Sequence, residues 1–278
     1  MKIIAIQTGN VRVKKNQVSG RGKGQGRQLN ILFGSEWIGP LPIYAWVIEH
    51  AEGVIIVDTG ETARSSEAGY FPQWHPYYRL AVRFQVFPEQ EIGPQLRQMG
   101  IQRKDVKKVI LTHMHSDHAG GLHHFPESGI HLHMLEYRRS KGFRGKVDGY
   151  LPHRMPDWLS PIPIEFGDDG LGSFDKSWNV TKRGDVKVVP TPGHTPAHVS
   201  VIVKTEDVYY FLAGDTSYSE RNLLDKIADG VSPDPDQAIS TMQNILNFAK
   251  QFPTIYLPTH DLDSEVRLKS QRTLQRQT

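Results

Sequence analysis

The chain has 278 residues, no cysteine and 13 histidines, and its 33 basic and 30 acidic side chains leave a net charge of +3. This length builds a sizeable core, in one large domain or two small ones, without covalent staples. The absence of cysteine excludes disulfides, thiolate zinc sites, iron–sulfur ligation and thiol nucleophiles, so a metal site has to use histidine and carboxylate.

Mean hydropathy is -0.46, and no apolar run approaches the about 20 residues of a membrane span. The first residues lack the long apolar stretch of a secretory signal. The expectation is a cytoplasmic protein with no membrane partner. One local basic excess, SGRGKGQGR at 19–27, carries Arg21, Lys23 and Arg27 among four glycines. It reads as a flexible solvated loop or hairpin tip. A phosphate or nucleic-acid contact would call for interleaved aromatics, and there are none.

In chain order, 2–8, 42–49 and 53–60 read as strands, the last a continuous apolar run and therefore buried. A long aromatic connection covers 61–87. Residues 88–100 read as a helix, with Pro88 in the first turn and Gly100 at the C-cap. The strand 105–112 leads directly into His113, a further short strand lies near 130–135, and 143–178 reads as a loop-rich cap. Strands follow at 187–191, 198–205 and 208–214, with Glu206-Asp207 as the hairpin turn. Helices follow at 219–230 and 233–252. The second presents Ile239, Met242, Ile245, Leu246 and Ala249 on one face. The strand 254–259 precedes a short polar helix from about 263. No linker separates domains, so 1–278 reads as a single α/β domain of two packed sheets with helices outside.

The chemistry concentrates at His113-Met114-His115-Ser116-Asp117-His118-Ala119-Gly120-Gly121. In an extended stretch, residues i and i+2 point to the same side, so His113 and His115 can approach one ion while Asp117 and His118 face a second. Gly120 and Gly121 allow a tight turn beneath them. These residues do not complete two sites. Further metal-ligand types stand directly after apolar strands: His194 in PTPGHT, Asp215 in GD, and His260 in PTHD.

This ordered set resembles the metal-binding signature of the metallo-β-lactamase superfamily, from Asp58-Thr59-Gly60 to His260. The resemblance implies a four-layer αβ/βα sandwich, with two mixed sheets face to face and helices outside. It also implies two divalent ions, zinc by preference, with cobalt, manganese or iron as alternatives. Carried over by position, His113, His115 and His194 hold one ion, Asp117, His118 and His260 the other, and Asp215 bridges them. Asp215-Thr216-Ser217-Tyr218, together with 191–198 and His260-Asp261, is similar to the N-acyl homoserine lactonases. That likeness implies ring opening of a small-molecule lactone by a metal-bridging hydroxide. Tyr218 would donate to the carbonyl oxygen, and Asp117 would carry the proton to the leaving oxygen. It also implies that homodimers are common.

Trp37, Phe71, Trp74, Tyr150, Met155 and Trp158 could wall an acyl tail, and Asp58 could order the ligand loop. His50, His75, His123, His124, His131, His133 and His153 have no place in the motif, and His198 could hydrogen-bond near the site. Other substrates for the same metals are a thioester, a phosphotriester, another lactone or a β-lactam. A redox diiron protein would want more acidic ligands and a flavin domain. A nucleic-acid enzyme would want a further gripping domain.

Overall fold

The computed structural model describes residues 1–22 and 24–274, so Lys23 of the basic segment lies outside the described residues. The chain forms two compact units: Met1–Lys15 with Ile31–Pro163, and Asn16–Asn30 with Ile164–Thr278.

The first unit is built on β1 (Lys2–Lys14), β2 (Trp37–His50), β3 (Gly53–Val57), β4 (Val82–Gln85), β5 (Val106–Ile110), β6 (Gly129–Leu132) and β7 (Ile162–Pro163). They form a mixed sheet in the order β4-β1-β2-β3-β5-β6-β7. Pairing is antiparallel from β4 to β3 and parallel from β3 to β7. Eight successive β2 residues, 41–48, are buried, as expected of a central strand covered on both faces. Ile6, Ala45, Val47, Ile56, Val109 and Ile130 pack with Ile92 and Leu96 of the helix Ile92–Gln98. β1 runs six residues past the expected end because its pairing with β2 continues beyond an irregularity between Gln7 and Asn10. The stretch 61–87 contains a 3₁₀ turn at Ala63–Ser66, a helix at Pro76–Leu80 and β4. The 88–100 segment divides into a 3₁₀ turn at Pro88–Gln90 and the helix Ile92–Gln98.

The second unit is built on β8 (Trp178–Asn179), β9 (Val186–Pro190), β10 (Val199–Lys204), β11 (Tyr209–Gly214) and β12 (Thr254–Pro258). Its order is β12-β11-β10-β9-β8, with β11 and β12 parallel and the other pairs antiparallel. The helix Pro235–Gln251 starts where Asp234 accepts from the Asp236 and Gln237 amides and Pro235 takes the first turn. Its buried face is Ala238, Thr241, Met242, Ile245 and Phe248. That face is rotated from the expected one, leaving Ile239 exposed, because Phe248 packs among Phe174, Phe211 and Tyr209.

The basic segment also departs from the expected loop. A helix spans Gly24–Phe33, and Arg27 is buried. Its guanidinium donates to the carbonyls of Ala228, Asp229 and Gly22, so this cation serves the fold and not the solvent. Among the described residues, no helix is long and apolar enough to cross a membrane.

Candidate metal centre

In the first unit, four candidate ligands follow β5. The chain leaves the strand at Ile110, runs without regular structure through His113 and His115, and then forms a helical turn at Ser116–Ala119 that carries Asp117 and His118. His113 Nε2 and His115 Nδ1 converge to 2.9 Å, so the i, i+2 spacing does bring two imidazoles together.

What aims His113 and His118 is Asp58, which directly follows β3 with a φ of 58°. Asp is among the few side chains that adopt this left-handed region. Its Oδ1 accepts from the Thr112 amide at 2.8 Å, and its Oδ2 accepts from the Thr112 hydroxyl at 2.8 Å. The same Oδ2 lies 2.8 Å from His118 Nδ1. His113 Nδ1 lies 3.1 Å from the Thr112 hydroxyl oxygen. Since that hydroxyl gives its proton to Asp58, His113 must donate to it. One carboxylate therefore fixes the tautomer of His118 directly and of His113 through Thr112, leaving both Nε2 lone pairs available to a cation.

Gly120 and Gly121 serve a close approach and not a positive φ. A Cβ on Gly121 would fall 2.3 Å from the Thr59 carbonyl oxygen, and one on Gly120 would fall 2.6 Å from Glu61 Oε1. Glu61 is fully buried, and burial pushes its carboxyl up to about 8 against the opposing hydrogen bonds of Ser116 and Thr62.

In the second unit, Asp215 directly follows β11, and His194 and His260 stand in the loops after β9 and β12. The three converge: Asp215 Oδ2 lies 3.5 Å from His194 Nε2 and 3.4 Å from His260 Nε2. Tyr218 is buried with its ring stacked on His260, centroids 5.3 Å apart, and its phenol oxygen accepts from Gln17 Nε2 at 2.7 Å. The Asp215 amide donates to His198 Nε2 at 3.0 Å, and His198 Nδ1 contacts the Thr191 hydroxyl at 2.9 Å. His198 thus holds the backbone of a candidate ligand.

Asp229 escaped the sequence reading. Its Oδ2 accepts from His194 Nδ1 at 3.0 Å and from the Ser232 hydroxyl at 2.9 Å. Its Oδ1 accepts the Val231 and Ser232 amides. It orients His194 as Asp58 orients His118. The only signal was an Asp-Gly pair at the end of the helix expected at 219–230, which marks punctuation and not chemistry. Gly193 lets the His194 loop rest on the long helix, since a Cβ there would fall 2.7 Å from Ala238 Cα. Asp261 has a structural role, accepting from Arg267 at 2.6 Å and from the Glu220 amide at 2.8 Å.

The candidate substrate-wall residues fall in different settings. Tyr150 is buried, its hydroxyl donating to Glu136 Oε1 at 2.8 Å and its ring 5.3 Å from that of His115. Met155 packs on the first unit's core. Phe71 stacks between Tyr78 and Phe84. Trp37 lies under Lys14 and Arg83. Trp74 and Trp158 are exposed, Trp74 stacked on Phe143.

Two imidazole-and-carboxylate sets, each oriented by a buried aspartate, are a donor chemistry suited to borderline divalent ions. The family model of the metallo-β-lactamase superfamily matches residues 38–260, and the chain belongs to that superfamily. It is similar to the N-acyl homoserine lactonase AiiA of Bacillus thuringiensis subsp. kurstaki, 28% identical over 238 residues that cover 81% of this chain and 83% of AiiA. Among solved structures, it resembles an N-acyl homoserine lactone hydrolase with the product N-hexanoyl-L-homoserine bound at its catalytic metal centre. That match has a TM-score of 0.75 at 24% identity, covering 98% of this chain and 97% of the other. AidC, a dizinc quorum-quenching lactonase in complex with a product, matches with a TM-score of 0.63 at 16% identity, covering 94% and 87%. Two mixed sheets with helices are the metallo-β-lactamase architecture of these lactonase structures.

Proposed function

We propose that this chain is a dinuclear-metal hydrolase that opens the lactone ring of N-acyl homoserine lactones. In this reading, His113, His115 and His194 hold one ion and Asp117, His118 and His260 a second. Asp215 serves both, and the two units act as one hydrolase domain. The ions, for which zinc suits the donor set, supply Lewis acidity and lower the pKa of bound water.

The observation that most supports the reading is the convergence of His194 and His260 on one Asp215 oxygen, with Tyr218 stacked on His260. A bridging carboxylate wants this arrangement, and a phenol beside it can meet a carbonyl. Gln17 donates to the phenol oxygen, which leaves the Tyr218 hydroxyl to donate a hydrogen bond to the lactone carbonyl oxygen as negative charge develops there. Water adds its oxygen to the carbonyl carbon, and Asp117 carries the proton that this water gives up to the ring oxygen as the C–O bond breaks. Trp37, Phe71, Trp74, Tyr150 and Met155 supply apolar wall for the acyl tail. The likeness to AiiA and to the product-bound hydrolase supports the lactone as substrate.

The same metals would serve another ester, a thioester or a phosphotriester. Measuring kcat/KM of the zinc-loaded protein on N-acyl homoserine lactones, a thioester, a phosphotriester and a β-lactam discriminates them. The lactones are expected to rank first, and a higher kcat/KM on any of the others overturns the assignment.

A further inference from the structure

Outside the seven proposed ligands, the described residues contain one more convergence of imidazole and carboxylate: Glu91, His123 and His124. We propose that these three side chains form a separate, peripheral site for a zinc-class divalent ion in the first unit.

The two histidines stand on the 3₁₀ turn Gly120–His124, which follows the helical turn bearing Asp117 and His118 without a break. Their rings lie 4.0 Å apart, and both present Nε2 to the same oxygen. Glu91 Oε2 is 2.6 Å from His124 Nε2 and 3.2 Å from His123 Nε2. The other carboxylate oxygen, Oε1, is committed to the Thr62 hydroxyl at 3.1 Å and the Ala63 amide at 2.8 Å. The carboxylate is therefore held in place with Oε2 turned to the imidazoles.

His123 supplies the decisive detail. Its Nδ1 lies 3.2 Å from the Gly120 carbonyl oxygen. A carbonyl only accepts, so Nδ1 carries the proton. The neutral ring then aims a bare Nε2 lone pair at a carboxylate oxygen, and two lone pairs face each other. A positive charge must sit between them, either a second proton on the ring or a cation.

The surroundings favour the cation. A ligating histidine typically gives its other N–H to a carbonyl, and a ligating carboxylate is typically hydrogen-bonded in turn. Both features are present. The 3.2 Å separation is also that of two ligands on one ion, since bonds of about 2.0–2.2 Å at a tetrahedral angle place donors about 3.4 Å apart. His124 has to open by less than about 1 Å to match. His123 is 45% exposed, which leaves the fourth position to water. An ion at this site would tie the turn after the ligand loop to Glu91, and through Ala63 to the 3₁₀ turn at Ala63–Ser66.

The test is metal stoichiometry by equilibrium dialysis and elemental analysis, with free zinc buffered from the nanomolar to the micromolar range. Wild type is compared with His123→Ala and with the shape-conserving Glu91→Gln. The expected result is one zinc equivalent more per chain in wild type than in either folded variant. Equal stoichiometry across the range overturns the site, as does an NMR titration showing that His123 Nε2 carries a proton in the zinc-saturated protein. The readout is the difference between proteins, so it is independent of the dinuclear reading. Failure of that reading would instead appear as fewer than two equivalents in the variants.

Discussion

Asp58 illustrates how one residue conditions a site it does not itself complete. Its two oxygens take the Thr112 amide, the Thr112 hydroxyl and His118 Nδ1, so the rotamers of two candidate ligands depend on it. Asn tolerates the left-handed backbone at this position, so Asp58→Asn preserves the turn while replacing one acceptor with a donor that must oppose either the Thr112 amide or His118. The variant is expected to keep its circular dichroism and lose about 10–100-fold in zinc affinity, as changes of such supporting groups do. Competition against a chromogenic chelator measures this. Wild-type affinity would show that His118 needs no orienting partner. Asp58 was readable as a supporting residue because it lies in the signature itself. Asp229 does the same for His194 but stands 35 residues further along the chain, where nothing local marks it. Arg27 was misread for a related reason: a charge among glycines looks solvated until the Ala228 and Asp229 carbonyls that absorb it are seen.

At the scale of elements, the sequence carries the strands well and their ends poorly. Apolar runs identify β2, β3, β5, β10, β11 and β12 because period and composition are local properties. The extension of β1 to Lys14 and the existence of β4 depend on each other, since Arg12 and Val13 pair with Arg83 and Val82. No single segment encodes that partnership. The two glycines after His118 were legible as necessary, but their reason was not, because it lies in the backbone of a segment about sixty residues earlier. Thr59 donates its amide to the His118 carbonyl at 2.7 Å, and Gly121 donates to the Thr59 hydroxyl at 3.1 Å. Gly121→Ala forces a methyl against the Thr59 carbonyl. The expected cost is about 1–3 kcal/mol of stability, read as a lower urea midpoint with an unchanged slope. A midpoint equal to wild type would show that the two segments separate freely, and the close packing would then not be what holds the ligand turn.

For the whole molecule, pH acts through 13 histidines on a chain whose net charge is only +3. Burial holds His133 and His153 below their ordinary value, and burial with the neighbouring Lys108 charge lowers His131 to about 4. His131 lies on β6 and is 7% exposed. An unfolded His131 titrates near 6.5 and the folded one near 4. Between these values the unfolded chain binds more protons, so its contribution is complete above pH 6.5 and falls as pH drops toward 4. At about pH 5 the loss is about 2 kcal/mol. Urea unfolding of wild type and His131→Asn is compared with chelator present throughout, so that bound metal does not enter the comparison, at about pH 7.5 and about pH 5. Acid is expected to cost wild type about 2 kcal/mol more than the variant, because asparagine takes up no proton in either state. Equal losses in the two proteins would place the acid sensitivity on other groups and remove His131 from the account.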